Sequence, residues 1–489
     1  MVLVQASKLD LPQSPHQILS VNYEPSSRSL ALTHSDSSLS LYSSVSPLSP
    51  QPPSAPQTPT LIPSPISSSA FLLLQSKSPS DSVFVDDTRP VFVASSPLKA
   101  GASLCLSFYA VRKGSQVFSK VRVICKQKDV VFDDKLGAVV FKINHGVAVR
   151  LSGSVNVFAL YSVSSSRIWV FAMKMVSGEA VKLMKCAVIQ CTVPVWSISI
   201  SCGYLLLGED NGVRVFALRP LVKRQANELL WGDNKHKLIK GKPAVHVFQM
   251  HHGAVRTSNQ GADTETGCKK LDNGNDVGAD FGACAMTMES SFKYHLEQKS
   301  ATCSASVKLR SIRVGQESGI FKSFDVVNCP LLNSTNTQMT AAKAISIKAL
   351  TANKFLMLDS LGNLHLLSMS KLTSQMRQLT QFVKVQKLAV LPGTQTVWSS
   401  DGFYTVRMMN LAGIDPADSG SGEHVNEDNP TISGNQVIFT SEKIRDVVAL
   451  SANAILYLGQ GWVSGSPGQF RPGFLSWIGA VYIKIKFSL

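Results

Sequence analysis

Hydrophobic and polar residues alternate along most of this chain, in short runs that are separated by polar turns. The segment Glu209-Asp210-Asn211-Gly212-Val213-Arg214-Val215-Phe216 shows the pattern: a tight polar turn leads into a run whose side chains alternate. Alternation with a period of two is typical of a half-buried β-strand. The same pattern returns at residues 35–42, 317–324, 359–366 and 400–406. We interpret these segments as copies of one β-unit.

The spacing of the strands predicts how the copies assemble. Residues 18–42 give three strands joined by short turns, and strands continue from 70 to 175, from 182 to 218 and from 307 onward. Strand ends fall about forty residues apart, and a period of about 40 to 45 residues is typical of a β-propeller. The predicted fold is all-β, with a propeller of about seven blades and alternatives of six or eight. We expect Tyr42, Phe171 and Phe216 to be buried blade anchors.

Two segments interrupt the pattern. Residues 44–68 hold eight prolines and no charged residue. Because proline lacks a backbone donor, we expect a mobile loop without sheet structure there. Residues 219–304 begin with a basic stretch, continue as polar, Gly- and Asn-rich sequence, and lack hydrophobic periodicity. We expect a long, mostly disordered insertion between two strands. Both segments should be the first sites of limited proteolysis.

The two ends of the chain predict how the ring closes. Residues 2–4 are the only strand-like run before Ile18, and residues 447–450 and 455–458 give two strands of a final unit. An irregular loop at 462–478 follows, and residues 481–485 then alternate as a strand does. Either this last strand completes the final blade and closes the ring, or the C-terminal segment is an aberrant tail. The alternation of Val481, Ile483 and Ile485 favours closure.

The charge balance points to one further partner class. Lys and Arg total 48 against 32 Asp and Glu, a net charge of +16. Residues 219–242 concentrate seven cations against two acids, which is compatible with contact to nucleic acid or with a nuclear import signal. The candidate contact residues are Arg219, Lys223, Arg224, Lys235, Lys237, Lys240 and Lys242.

The cysteines and the N-terminal sequence indicate an intracellular protein. The nine cysteines are odd in number and form no C-x-x-C pair, which is typical of a reducing compartment. Cys105, Cys125, Cys186 and Cys202 fall in apolar, strand-like runs and are expected to act as small hydrophobic residues. The N-terminal sequence lacks the pattern of a signal peptide, and no run of about 18 apolar residues indicates a membrane span. We expect a cytoplasmic or nuclear protein without membrane association.

The sequence carries no recognisable catalytic chemistry. Motifs for a phosphate-binding loop, a serine nucleophile elbow and a zinc-binding helix do not occur. The acid pairs Asp86-Asp87 and Asp133-Asp134 precede strands, where turn acids are common. His34 and His145 have no nearby His or Cys, and the pair His251-His252 has no cysteines at zinc-site spacing. We therefore predict no catalytic, cofactor or metal site, and a protein that is not an enzyme.

The segment 209–216 is similar to the repeat signature of the WD-repeat and WD-repeat-like propeller superfamily. That signature usually ends in Trp-Asp, whereas Phe216-Ala217, Phe171-Ala172 and Phe324-Asp325 stand in its place here. The opening Gly-His pair is also missing, so the chain resembles a divergent member, and its serine-rich composition is similar to that of plant members. The resemblance implies a rigid, non-catalytic scaffold whose partners are other proteins. The alternative is a nucleic-acid-associated propeller that uses the basic segment 219–242.

Overall fold

The structure is a computed structural model that places most of the chain in a β-propeller. It describes residues 2–8, 16–45, 58–75, 88–112, 114–125, 127, 129–143, 148–176, 180–222, 311–324, 341–370, 374–379, 383–411, 433–460 and 481–488. The propeller unit comprises Met1–Gly232 and Leu309–Leu489. Its described secondary structure consists of β-strands, a 3₁₀ turn at Gln316–Ser318 and a helical stretch at 218–222. The prediction of an all-β propeller is confirmed.

The described strands pair into seven sheets, each of which is a blade. The first strand, β1 (Val2–Lys8), belongs to the last blade. Blade 1 contains β2 (Ile18–Glu24), β3 (Ser29–His34), β4 (Leu39–Tyr42) and β5 (Thr60–Ile62). Blade 2 contains β6 (Ser68–Gln75), β7 (Thr88–Leu98), β8 (Ser103–Val111), β9 (Phe118–Lys120), β11 (Val130–Asp133) and β12 (Ala138–Phe141), while β10 (Arg122–Ile124) crosses to blade 3.

The remaining blades follow in chain order. Blade 3 contains β13 (Val149–Gly153), β14 (Val157–Ser162), β15 (Arg167–Val176) and β16 (Ala180–Gln190). Its outer strand β16 pairs in parallel with β10 and with β20 (Ile312–Gly315). Blade 4 contains β17 (Ser197–Ser201), β18 (Tyr204–Glu209), β19 (Gly212–Ala217) and β21 (Ile320–Ser323). Blade 5 contains β22 (Ala344–Ala349), β23 (Lys354–Asp359), β24 (Leu364–Met369) and β25 (Ser374–Leu379).

Blade 6 contains β26 (Lys387–Val390), β27 (Thr396–Ser400), β28 (Thr405–Asn410) and β29 (Ser433–Phe439). Blade 7 contains β30 (Ile444–Ser451), β31 (Ala454–Gly459), β32 (Val481–Ser488) and the N-terminal β1. Strand β1 pairs with β32 from Val2↔Ser488 to Lys8↔Tyr482, and β32 pairs with β31. The two chain ends therefore complete one blade together, and the closure predicted from the sequence is confirmed.

The hydrophobic core lies between the blades. Each pair of neighbouring blades shares a cluster of buried apolar side chains, including the pair formed by blades 7 and 1. Burial of these faces is the main stabilising contribution, because a single blade leaves both of its faces exposed. Tyr42, Phe171 and Phe216 lie on the third strands of their blades and are all buried. Their predicted role as core anchors is confirmed.

The repeated polar turn joins the second and third strands of a blade. Ser37, Asn211, Gly362 and Gly402 each adopt a positive φ there, in blades 1, 4, 5 and 6. This left-handed conformation favours Gly and Asn, which explains the residue types of the pattern. The copy at 317–324 differs, because it leads into β21, the outermost strand of blade 4.

Side chains from one blade also satisfy backbone amides on the inner edge of the next. Ser68 Oγ accepts a hydrogen bond from the Leu151 amide (3.0 Å), and Ser152 Oγ accepts one from the Ile200 amide (2.9 Å). These amides lie on the free edges of innermost strands, where no further strand can pair. The bonds fix the relative position of consecutive blades.

The structure corrects two expectations. Thr60–Ile62, inside the proline-rich segment, form the outer strand β5 and pair with Leu39–Tyr42. Pro59 and Pro63 flank this strand, so its three residues keep their backbone donors. Residues 46–57 lie outside the described part of the chain. Cys202 is exposed in the turn between β17 and β18, where its φ is 52°, and is not part of a buried strand.

Candidate functional site

The turn between β27 and β28 of blade 6 presents two aromatic side chains to solvent. Phe403 is 53% exposed and Tyr404 is 49% exposed. Phe439, at the end of β29, is in register with Thr405 and is 74% exposed. Together with the exposed Val437, we call these residues the aromatic patch. Large apolar side chains that stay exposed side by side on a folded surface commonly mark an interaction site.

Hydrogen bonds fix the turn that carries the patch. Asp401 accepts bonds from the Phe403 amide (2.9 Å) and the Thr405 hydroxyl (2.8 Å). Ser400 Oγ accepts one from the Gly402 amide (3.0 Å). Gly402 has φ +79°, and a Cβ there would lie 2.2 Å from Oε1 of Gln386. The backbone conformation therefore favours glycine here, whereas a Cβ would displace only the end of the flexible Gln386 side chain.

The connection to blade 7 holds the patch from the other side. The Thr440 amide donates to the Tyr404 carbonyl (2.8 Å), and the Ile444 amide donates to the Phe403 carbonyl (2.7 Å). Lys443 Nζ lies 5.3 Å from the centre of the Phe403 ring. The backbone of Phe403 and Tyr404 is therefore anchored on both sides, and this turn does not have to be ordered when a partner binds.

The inner strands enclose a second candidate, a central cavity of about 1300 Å³. Lys348, Lys387, Asp446 and Glu24 lie on its wall. Glu24 accepts bonds from the Ser27 amide and hydroxyl, and Asp446 Oδ2 accepts one from the Val21 amide (3.0 Å). Both acids thus accept hydrogen bonds that stabilise the fold. The side chain of Lys348 is exposed to the cavity. The surrounding protein nevertheless desolvates its ammonium group and so lowers its pKa.

A buried polar network fastens the chain where it returns to the propeller after residue 310. Glu209 accepts bonds from Arg214 Nε (2.6 Å) and Nη2 (2.9 Å) and from Gln316 Nε2 (2.7 Å). Gln316 Oε1 accepts bonds from the amides of Thr192 (2.7 Å) and Val193 (3.0 Å). Every contact is internal to blades 3 and 4, so the network is a structural anchor and not a binding site.

Most of the predicted nucleic-acid contacts lie outside the described residues. Arg219 is exposed in the helical stretch that follows β19. Lys223, Arg224, Lys235, Lys237, Lys240 and Lys242 fall in the part of the chain that the structure does not describe. The structure therefore does not test whether these side chains come together.

Several residues considered for catalysis have structural roles. Asp133 caps its own turn by accepting a bond from the Lys135 amide (2.9 Å). His34 is buried, bonds to Ser40 Oγ at 2.7 Å, and has a pKa that burial lowers. Asp86, Asp87, His145, His251 and His252 lie outside the described residues. Among the residues that the structure describes, no group of three His, Cys, Asp or Glu could hold a metal ion, and no helix is long and apolar enough to cross a membrane.

The sequence did not reveal the aromatic patch. The repeated pattern at 400–406 places Phe403 and Tyr404 at the start of a strand, directly after the Ser400-Asp401-Gly402 turn. The sequence does contain one signal for the patch: only the copy at 400–406 has two aromatic residues directly after the turn. The copies at 35–42, 209–216 and 359–366 have no aromatic pair there. The exposure of Phe439 depends on the pairing of β28 with β29 across residues 412–432, and no local pattern encodes that pairing.

Comparisons with known proteins give structural neighbours only. No protein-family model and no curated protein match the chain. The crystal structure of RRP9 WD40 repeats is 9% identical, covers 99% of this chain and 97% of its own, and has a TM-score of 0.41. The structure of U3-55K is 10% identical, covers 99% and 98%, and has a TM-score of 0.39. Because both scores are below 0.5, the fold assignment rests on the strand pairing, which gives a β-propeller of seven sheets among the described residues.

Proposed function

We propose that this chain is a non-catalytic protein-interaction scaffold that binds a partner at the aromatic patch of blade 6. The observation that carries the proposal is the exposure of Phe403, Tyr404 and Phe439 on a backbone that is already fixed. Aromatic side chains are enriched at the cores of protein interfaces, and tyrosine is common among the few residues that contribute most of the binding energy. A site that is ordered before binding loses less conformational entropy when the partner arrives.

Affinity capture followed by mass spectrometry tests this proposal. The variant F403S/Y404S removes the two rings and leaves the turn residues Ser400, Asp401 and Gly402 unchanged. The matched control is L61S, because Leu61 is also exposed (72%) but lies on the outer strand of blade 1. We expect the double variant to lose at least one partner that both the wild type and L61S retain. An identical set of partners for all three proteins, each with a native circular dichroism spectrum, contradicts the proposal.

As a second candidate function, we propose that the basic segment 219–242 binds nucleic acid. This proposal is supported by the seven cations of residues 219–242 and by the exposure of Arg219 where this segment leaves blade 4. Phosphate contacts release counterions, so this mode of binding weakens steeply as salt rises. Docking on an aromatic patch depends much less on salt, and the two modes can therefore be separated by one titration.

A further inference from the structure

The gap between blades 5 and 6, next to the aromatic patch, contains hydrogen-bond donors that the described residues do not satisfy. Arg407 Nε and Ser399 Oγ are both buried and have no hydrogen-bond partner there. The two residues are directly opposite each other on β27 and β28. A buried donor without an acceptor is destabilising, so most such groups in proteins are paired. These donors therefore indicate a place where an acceptor can bind.

The register shows that Arg407 faces this gap. Residues two apart on a strand share one face, and Met409 packs in the core between blades 5 and 6. Arg407 must therefore also face blade 5. On the other side, Arg377 is opposite Leu366, which belongs to the same core, so Arg377 faces blade 6. Val437 is opposite Arg407 on β29, and its exposed side chain connects the gap to the aromatic patch.

The charges around the patch are mainly positive. Lys443 Nζ lies 5.3 Å from the centre of the Phe403 ring, Arg407 is opposite the exposed Val437, and Arg377 faces blade 6 from blade 5. The nearby acids do not pair with the Arg407 Nε: Asp401 accepts bonds within its own turn, and Arg407 Nε has no hydrogen-bond partner among the described residues. A ligand that combines apolar side chains with negative charge therefore complements this surface best.

We infer that the partner segment is an acidic peptide in which Asp or Glu lies beside aromatic or aliphatic residues. Its apolar side chains pack on Phe403, Tyr404 and Phe439, and its carboxylate accepts hydrogen bonds from the Arg407 guanidinium after a rotation of that side chain. Arginine holds a carboxylate through two parallel bonds, which a lysine cannot reproduce. This inference rests on the proposed function and adds the chemistry of the partner.

Selection from a displayed library of random peptides tests the inference without assuming a sequence. The library is enriched on the full chain and depleted on F403S/Y404S. We expect the surviving peptides to carry Asp or Glu next to Phe, Leu or Ile. The best peptide should lose at least tenfold in affinity when its acids are replaced by Asn or Gln, and R407Q should abolish that difference. R407K should restore only part of it, because the charge remains but the paired bonds do not.

The outcomes separate this inference from the proposed function. The acidic-partner inference is overturned if the selected peptides lack acids, or if R407Q leaves their affinity unchanged. In either case, a partner that is captured through the aromatic patch still supports the scaffold proposal. Displacement of the peptide by single-stranded RNA at equal charge concentration also overturns it, because the surface is then a general polyanion site. Loss of no partner in the capture experiment overturns the scaffold proposal itself. The control K322Q, on the outer strand of blade 4, should leave the peptide affinity unchanged.

Discussion

Single residues set both the stability and the surface of this propeller. The repeated turn needs one residue with a positive φ, and Ser37, Asn211, Gly362 and Gly402 meet that need in different blades. The turn does not determine whether the side chains of the following residues are buried in the core or exposed to solvent. Leu39 and Val213 follow their turns into the core, whereas Phe403 and Tyr404 follow theirs outward. The same local geometry therefore produces an anchor in one blade and a binding surface in another.

Replacing Phe216 with alanine should destabilise the fold by roughly 3–5 kcal/mol, the usual cost of truncating a buried aromatic residue. Phe216 is 5% exposed and packs in the core between blades 3 and 4. Chemical denaturation gives the difference in the free energy of unfolding. The control is F321A, because Phe321 is 39% exposed on the outer strand of the same blade and should cost much less. Equal losses for the two variants would contradict the assigned register.

The carboxyl group of Asp446 should make the fold more stable at low pH than at neutral pH. Burial raises its pKa above the ordinary 3.8, although the Val21 amide, Lys387 and Lys348 act in the opposite direction. The folded state therefore binds the proton more tightly than the unfolded chain. Its contribution to stability is present below pH 3.8 and is lost as the pH rises through the folded pKa. D446N should remove this loss and raise the melting temperature at pH 7.

A second acid gives the control of opposite sign. The net pKa shift of Asp359 is downward: burial acts to raise the pKa, but hydrogen bonds from His365 and Asn363 outweigh it. Its contribution is present above pH 3.8 and is lost as the pH falls through the folded pKa. D359N should therefore lower the melting temperature at pH 7, where D446N raises it. Thermal melts of the wild type and both variants at pH 3 and pH 7 check the two directions together, because the Asp359 contribution is lost below pH 3.8 and the Asp446 contribution above it.

At the scale of the elements, the strands were largely predictable and their partners were only partly so. Period-two runs such as 29–33 and 213–217 encode strands directly, although the neighbouring blades bury both faces of these strands. The strand β20 pairs in parallel with β16, more than a hundred residues earlier in the chain, and no turn links the two. The sequence does not predict β5, because its three residues lie between two prolines. Local periodicity reports burial, whereas pairing across long connections depends on the assembled ring.

The same limit applies to the candidate site. Aromatic residues are visible in the sequence, but Phe171 is buried and Phe439 is exposed although both lie on strands. The difference is position within the blade: Phe171 is on a third strand that a neighbouring blade covers, while Phe439 ends an outermost strand. The unpaired Nε of Arg407 is equally hard to predict from the sequence, because its pairing depends on which groups blade 5 places opposite it.

At this scale, nucleic-acid binding by the basic segment 219–242 stays a prediction. Replacing Lys235, Lys237, Lys240 and Lys242 with glutamine should reduce retention on nucleic acid and make the remaining retention less sensitive to salt, because each lost phosphate contact lowers the salt slope by about one. Elution from immobilised RNA and DNA across a salt gradient measures both quantities. Nuclear accumulation of a fluorescent fusion tests the import alternative. Unchanged elution together with unchanged localisation would remove both roles.

For the whole molecule, the decisive feature is that blade 7 is built from both chain ends. Strands β30 and β31 precede β32 in sequence, and β1 adds the outermost strand from the other end of the chain. The core between blades 7 and 1 then joins Leu450 and Leu456 to Leu30 and Leu32. Closing a ring in this way couples the stability of every blade to the contact between the ends, because an open ring leaves two blade faces exposed to water.

Truncating the chain before β32 should therefore open the ring. The loss of Val481–Ser488 removes the partner of both β31 and β1, so blade 7 keeps only β30 and β31 and presents a free edge. Free edges pair with other chains, and we expect a lower melting temperature and concentration-dependent association in light scattering. Deleting Val2–Lys8 alone is the graded control, because it removes the outermost strand and leaves β30, β31 and β32 paired. This shorter loss should lower the melting temperature less. A truncated chain that stays monomeric and melts with the wild type would show that β32 contributes nothing to closure, and that the ring is held by the core between blades 7 and 1 alone.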